Sequence, residues 1–196
     1  MELCACNLKE WLSGLYRGPS ISKRTVLGQT CEALQYLHSV RVVHRNLKPT
    51  NILIGLPSGE SGHVSVKLSD FGTYSTWSDT WPVRDLDCTE GWEAPEQLKI
   101  GTVLSTIVTT AADIFTLGCL FFVTLSGGHH PFGSLPYFRN QRALASQYDL
   151  TPLATNSQQR VPGSLRLIES MIQRNAVSRP SIDYILALQD FWSHDF

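Results

Sequence analysis

The sequence predicts a mainly α-helical fold with short β-strands, and three observations carry that reading. Apolar residues recur at the three- and four-residue spacing of a buried helix face through most of the long segments. Strand-like patterns are confined to two short runs, Ile52-Leu53-Ile54 and the alternating Val64, Val66 and Leu68. Connections rich in glycine and proline separate the helical segments. With 196 residues, 42% of them hydrophobic and 17% charged, the chain can bury one core and does not demand two, so one domain is expected.

Along the chain, the first signal is Asn7-Leu8-Lys9-Glu10. An Asn at the cap with a Glu three residues later satisfies two orphan backbone donors, so a short helix starts there, takes in Trp11 and Leu12, and stops by Gly18-Pro19. Val26, Leu27, Thr30, Cys31, Leu34 and Leu37 then place a longer helix from about Ser22 to Ser39. The two strands follow, joined by the polar turn Pro57 to Gly62. Further helices are expected near Ala111 to Leu125, Tyr137 to Ser146, Ser164 to Arg174 and Ser181 to Leu188. Leu150 to Pro162 reads as a mobile loop, and there is no internal repeat or low-complexity tract.

Composition narrows the function classes. A net charge of -1 offers no electrostatic case for nucleic acid. The most apolar run, Ile114 to Val123, is interrupted by Thr116 and Gly118 and falls short of the roughly 20 residues that cross a bilayer. No basic-then-apolar secretory leader precedes Asn7. Five cysteines without regular spacing suit a reducing compartment better than a disulfide framework. Cys4 and Cys6 are the one close pair, and without a second ligand pair at metal spacing they read as packing residues, His129-His130 notwithstanding. Cys31 and Cys119 lie on apolar helical stripes, where a free thiol is a small hydrophobe.

The chemistry concentrates in His44-Arg45-Asn46-Leu47-Lys48-Pro49-Thr50-Asn51, followed 19 residues after Asn51 by Asp70-Phe71-Gly72. Three later landmarks keep a fixed order: Ala94-Pro95-Glu96, Asp113-Ile114-Phe115-Thr116-Leu117-Gly118-Cys119 and Arg179-Pro180. Any one of these is weak, but five in order are specific, and together they resemble the large lobe of a protein kinase. The resemblance implies a mainly α, kinase-like fold, the C-terminal lobe only, that takes ATP and Mg2+ as cofactors. It implies metal oxygens from Asn51 and Asp70. Lys48, in Leu-Lys-Pro-x-Asn, fits the serine/threonine-type pattern, with its ammonium on the transferring phosphoryl group.

Further roles follow from the same resemblance. The Glu2 carbonyl and Cys4 amide would meet adenine, with Leu53 beneath the ring. His44 would pack with Phe71, next to Gly72, in the spine that joins the lobes. Arg45 would receive a phosphate from an activation segment whose candidates are Thr73, Ser75, Thr76, Ser78 and Thr80. Thr89 would bridge the catalytic loop, Asp113 would tie down its backbone, and Glu96 would pair with Arg179. Trp77 and Trp81 are open between partner contacts and packing beneath the segment, whereas Trp92 is expected to pack.

One letter departs from the template. Asn46 stands where a kinase has the Asp that orients and deprotonates the substrate hydroxyl, and an amide lacks useful basicity. A general base is worth roughly 100- to 10,000-fold, or about 3 to 5 kcal/mol of barrier. Phosphotransfer is therefore expected to be impaired.

Residues outside the general kinase set narrow the likeness. Glu2-Leu3-Cys4, Thr89-Glu90-Gly91-Trp92-Glu93-Ala94-Pro95-Glu96, Gly118-Cys119-Leu120-Phe121-Phe122, Ser126-Gly127-Gly128-His129-His130-Pro131-Phe132-Gly133 and Phe191-Trp192-Ser193 are similar to the inositol-requiring enzyme family. That family pairs a kinase domain with an endoribonuclease in sensing misfolded protein in the endoplasmic reticulum. The activation segment Thr73 to Cys88 departs from it, being short with Arg84 as its only basic residue. The resemblance implies that residues 1–196 run from the hinge to the end of the large lobe, without the small lobe or the ribonuclease. It also implies a place on the cytosolic face, with endoplasmic reticulum membrane association only where a fuller chain carries an anchor. Expected partners are a second copy or another family member, and a protein substrate of unknown identity. Three functions stay open at this stage: a nucleotide-dependent switch with impaired transfer, an active serine/threonine kinase, and a non-enzymatic docking or dimerisation fragment.

Overall fold

The structure, a computed structural model, describes residues 3–59, 62–70, 75–76, 91–98, 109–154 and 163–193, the pair 75–76 as backbone. At its start the capping box forms as its residue types dictate. Asn7 Oδ1 accepts from the Glu10 amide and Glu10 Oε2 from the Asn7 amide, both at 3.0 Å. The cap turns strand β1 (Cys4–Asn7) directly into helix α1 (Leu8–Leu12). Strand β1 departs from the sequence reading, because a four-residue run acquires strand character only through a partner far along the chain. That partner is β3 (Ile52–Gly55), paired antiparallel with Cys4 opposite Gly55 and Asn7 opposite Leu53.

Helix α2 (Lys23–Ser39) opens on Ser22, whose hydroxyl accepts from the Thr25 amide at 3.0 Å. It buries Val26, Leu27, Thr30, Cys31 and Leu34, and Thr30 satisfies its own hydroxyl by donating to the Val26 carbonyl at 2.7 Å. After it come β2 (Val42–Val43), a 3-10 turn (Pro49–Asn51), β3, and β4 (Val66–Leu68), which pairs antiparallel with β3 to give the sheet order β1-β3-β4. A second two-stranded sheet joins β2 to β5 (Ser75–Thr76).

Helix α3 (Thr110–Leu125) is the axis of the core: every residue from Ala112 to Leu125 is buried. It is apolar on all sides because other elements pack on all sides. Gly118 sits where a Cβ would stand 2.7 Å from Met171 Cβ, so glycine is what lets helix α6 (Ser164–Met171) approach this closely. Helix α4 (Pro136–Leu144) precedes α5 (Thr151–Ala154), a turn of helix inside the stretch expected to be a loop. There the Asp149 carboxylate accepts from both the amide and the hydroxyl of Thr151 and so starts the turn. The rest of that loop lies outside the described residues.

The last expected helix, Ser181 to Leu188, forms but stops two residues short, and a further helix that was not expected follows it. A 3-10 turn (Ala176–Ser178) leads into α7 (Ile182–Leu186), and α8 (Gln189–Trp192) starts anew after Leu188. The break puts Phe191 against Phe121 with ring centroids 5.7 Å apart, and the Trp192 indole donates to the Ile185 carbonyl at 2.9 Å. Both contacts bury aromatic surface that a continuous helix would point elsewhere. Among the described residues no helix is long and apolar enough to cross a membrane.

Candidate active site

The loop from His44 to Asn51 is short and polar, so its backbone donors need partners that the surrounding helices supply. Asp113, 1% exposed on the first turns of α3, provides partners for two of them. Its Oδ2 accepts from the His44 amide at 2.9 Å and its Oδ1 from the Arg45 amide at 2.8 Å. His38, in the last turn of α2, stands 3.0 Å from the same Oδ2. Arg45 has φ 68, a left-handed conformation that costs roughly 1 to 2 kcal/mol for a residue with a Cβ. The carboxylate fixes the two amides that lead into this turn, and the His44 ring takes the Asn46 amide that leaves it.

His44 is fully buried and acts through its two ring nitrogens. Nδ1 accepts from the Asn46 amide at 3.2 Å, which leaves the proton on Nε2, 3.0 Å from the Ser69 carbonyl. Its role in this fold is therefore to fasten the loop to the segment that leads into Asp70. Burial lowers its pKa, opposed in part by the Asp113 charge and the Ser69 bond.

Asn46, Asn51 and Asp70 converge. Asp70 is exposed with φ 65, a backbone turn that aims its carboxylate back at the loop. Asn46 Nδ2 donates to Asp70 Oδ2 at 2.8 Å, and Asn51 Nδ2 donates to the same oxygen at 3.2 Å. Asn51 Nδ2 also donates to the Asn46 carbonyl at 2.8 Å, so the three residues form a closed ring of contacts. Across the sheet, Ser69 ties in by donating from its amide (2.9 Å) and its hydroxyl (3.2 Å) to the Asn51 carbonyl. Asp70 Oδ1 and the Asn51 amide oxygen make none of these bonds.

Lys48 is half-buried just before the 3-10 turn, Leu53 is half-buried on β3, and Cys4 is half-buried on β1 beside it. Glu96 and Arg179 meet as a two-bond pair, Arg179 Nη1 to Glu96 Oε1 and Nη2 to Glu96 Oε2, each at 2.7 Å. Arg179 also donates to the Ala111, Gln173 and Arg174 carbonyls, so it clamps the entrance of α3. Glu2, Phe71, Gly72, Thr89, Thr73, Ser78, Thr80, Trp77, Trp81 and Arg84 lie outside the described residues, and Ser75 and Thr76 are described as β5 backbone only.

Sequence reasoning passed over His38 and Ser69, and took His130 only as one of an adjacent pair with no role assigned. His38 had a usable signal, because four residues after Leu34 it falls on the buried stripe of α2. His130 had none, since nothing in His129-His130 says which ring turns inward. The structure turns in His130, 4.7 Å edge-to-face from Trp92. Cys31 and Cys119 are buried, and burial pushes both thiols up. Among the described residues no cluster of His, Cys, Asp and Glu has the makings of a metal site of that kind.

The two buried imidazoles set a pH dependence. Burial also holds the His130 pKa well below the ordinary value, with Arg139 adding to the effect. An unfolded His takes up a proton near pH 6.5, whereas these two resist doing so in the folded state. Their stability contribution is thus fully present above about pH 6.5 and is lost as pH falls below it. Urea unfolding is expected to show a lower midpoint at about pH 5.5 than at about pH 7.5, and His44→Gln should flatten part of that dependence.

Comparison with known proteins places this geometry. The protein kinase domain family matches residues 1–192. Serine/threonine-protein kinase/endoribonuclease IRE2 of Homo sapiens is 37% identical over 205 residues, covering 98% of this chain and 21% of the relative. Serine/threonine-protein kinase/endoribonuclease IRE1 of Oryza sativa subsp. japonica is 31% identical, with 89% of this chain and 18% of the relative covered. The sensor for unfolded proteins in the ER ire1 of Schizosaccharomyces pombe is 32% identical, covering 99% of this chain and 20% of the relative. The chain spans about a fifth of the length of the curated relatives it matches.

Proposed function

The chain belongs to the protein kinase family, related to the IRE1 stress sensors, and from that premise we propose that residues 1–196 form a kinase-like domain, from the hinge to the end of the large lobe, that binds nucleotide with magnesium as a conformational switch and transfers phosphate poorly. The observation that carries the reading is the 2.8 Å bond from the Asn46 amide to Asp70. Asn46 occupies the base position and spends an N–H on the neighbouring carboxylate. It has no lone pair of useful basicity to take a hydroxyl proton.

The remaining residues fit a hard cation. Asp70 through Oδ1 and Asn51 through its amide oxygen are the groups that would hold magnesium, which when bound neutralises charge on the nucleotide phosphates. Lys48 supplies a further positive charge beside the loop. The Cys4 amide and the Leu53 side chain, on paired strands, would form one wall of the adenine site together with the Glu2 carbonyl. A domain of this kind signals by shifting a conformational equilibrium toward the state that binds nucleotide more tightly. Its place is the cytosolic face, at the endoplasmic reticulum membrane only where a fuller chain carries an anchor, and its partner a second copy or another family member.

Titrating the full-length protein with ATP and magnesium tests the proposal. Saturable stabilisation of about 2.7 kcal/mol at a hundred times the dissociation constant is expected, with little phosphate transfer in the same samples. Failure of ATP to raise the unfolding temperature would overturn the switch, and rapid transfer by the unaltered protein would overturn the impairment.

A further inference from the structure

A cavity of about 650 Å³ opens between the C-terminal half of α2, the first turns of α3 and the chain that enters α7. Glu32, Gln35, Tyr36 and Ser39 form its α2 wall, because residues three and four apart share a helix face. Gln35 Nε2 donates to Asp183 Oδ1 at 2.6 Å and so fastens that wall to the first turn of α7. None of Cys4, Asn46, Lys48, Asn51, Leu53 and Asp70 lines the cavity, so it is separate from the nucleotide and phosphate-transfer residues.

The groups left open in this lining are acceptors. The His38 side chain is 8% exposed, and its Nε2 donates to Asp113 Oδ2 at 3.0 Å, since an ionised carboxylate only accepts. The neutral ring then presents Nδ1 as a bare acceptor, which makes no hydrogen bond among the described residues. Glu32 is exposed and pairs with no cation among the described residues, and Asp183 is exposed with only Oδ1 engaged there. The one cation of the lining, Arg179, is spent: its five N–H groups go to the two Glu96 oxygens and to the Ala111, Gln173 and Arg174 carbonyls. Tyr36, 68% exposed, adds an aromatic face, and the buried Ile114 and Ile182 add apolar surface. Two open carboxylates, an accepting nitrogen and a ring suit a flat cation with several donors. A guanidinium bonds carboxylates in parallel pairs, stacks on aromatic faces and gives up water more readily than an ammonium. Its aliphatic stem would lie on the isoleucines.

We propose that this cavity binds an arginine side chain of a partner protein, with the guanidinium held by Glu32 and Asp183, one N–H donated to His38 Nδ1 and the plane of the group on Tyr36. Binding is independent of the nucleotide reading, because the residues assigned to nucleotide and magnesium lie outside the lining.

Fluorescence polarisation of a labelled glycine-arginine-glycine peptide on the full-length protein without nucleotide tests this. Saturable binding is expected, and the peptide with citrulline for arginine, equal in shape but uncharged, is expected to bind about tenfold or more weakly. A lysine peptide, which lacks the flat fork of donors, is expected to bind about threefold or more weakly. The double variant Glu32→Gln with Asp183→Asn removes two exposed charges and is expected to weaken arginine binding by about tenfold. His38→Phe keeps a ring and removes the acceptor, with a loss of about fivefold expected. If His38→Phe does not fold, the exposed Tyr36 replaces it as Tyr36→Ala, with a loss of about threefold expected. Adding ATP and magnesium is expected to leave the arginine affinity unchanged, so a protein that fails to bind nucleotide still binds the peptide. Equal binding of the citrulline or lysine peptide overturns the proposal, as does unchanged arginine binding in any of these folded variants.

Discussion

Asn46→Asp is expected to raise phosphate transfer by about 100- to 10,000-fold in the full-length protein, measured as phosphate incorporated into a generic serine/threonine substrate with ATP and magnesium. The substitution changes one atom in the side chain, and the surroundings are already built for it. The backbone at position 46 is fixed by its amide donating to His44 at 3.2 Å and by its carbonyl accepting from Asn51 at 2.8 Å. A carboxylate there inherits that placement and adds the basic oxygen that the amide lacks.

The same change carries a cost that distinguishes this explanation from a general effect on folding. Asn46 now donates to Asp70 Oδ2 at 2.8 Å, and an aspartate would bring a second negative charge to that oxygen. Two carboxylates this close disfavour being ionised together. Asn46→Asp is therefore expected to unfold at a lower temperature than the parent without divalent cation, and to recover when magnesium is added. A variant whose stability ignores magnesium, or whose transfer rate stays at the parent level, would show that the Asn46 amide is not what limits the chemistry.

Which contacts were legible in advance depends on what each one needs. Glu96 and Arg179 are 83 positions apart, yet their pairing could be anticipated because each is a charged residue inside a recognisable landmark and each needs a partner when buried. The loop's attachment to Asp113 was legible for the same reason. The direction of the Asn46 bond was not, because an amide both donates and accepts, and only the φ of Asp70 aims the carboxylate at its N–H. Strand β1 was hidden by distance, since Cys4–Asn7 acquires its ladder only when Ile52–Gly55 comes alongside. Helix α8, beyond the expected Ser181 to Leu188, was hidden by its length, since four residues carry no readable periodicity. Ser181 to Leu188 has sound helical spacing throughout, and what ends α7 early is the gain from burying Phe191 and Trp192 against Phe121.

Asp113→Ala is expected to cost on the order of 3 to 5 kcal/mol of unfolding free energy, read from urea denaturation. Removing the carboxylate strips the acceptor from two backbone amides at once, His44 and Arg45, in a place that water does not reach. Each buried donor left unpaired costs roughly 1 to 3 kcal/mol. Arg45 adds its own strain, because the amide that enters its positive-φ turn is no longer held. A domain of this size has about 5 to 15 kcal/mol in hand, so the variant should remain folded in the cold and lose most of its margin. His38→Ala removes the third contact on Asp113 and leaves both amide bonds intact, and is expected to cost clearly less. The two variants should also part in hydrogen exchange: the His44 and Arg45 amides lose protection in Asp113→Ala and keep it in His38→Ala. Because the loop also carries Asn46 and Asn51, Asp113→Ala is expected to abolish stabilisation by ATP and magnesium even where the protein is folded. An Asp113→Ala protein of parental stability would mean that the loop is held by its other contacts, and that the left-handed turn at Arg45 needs no carboxylate to keep it.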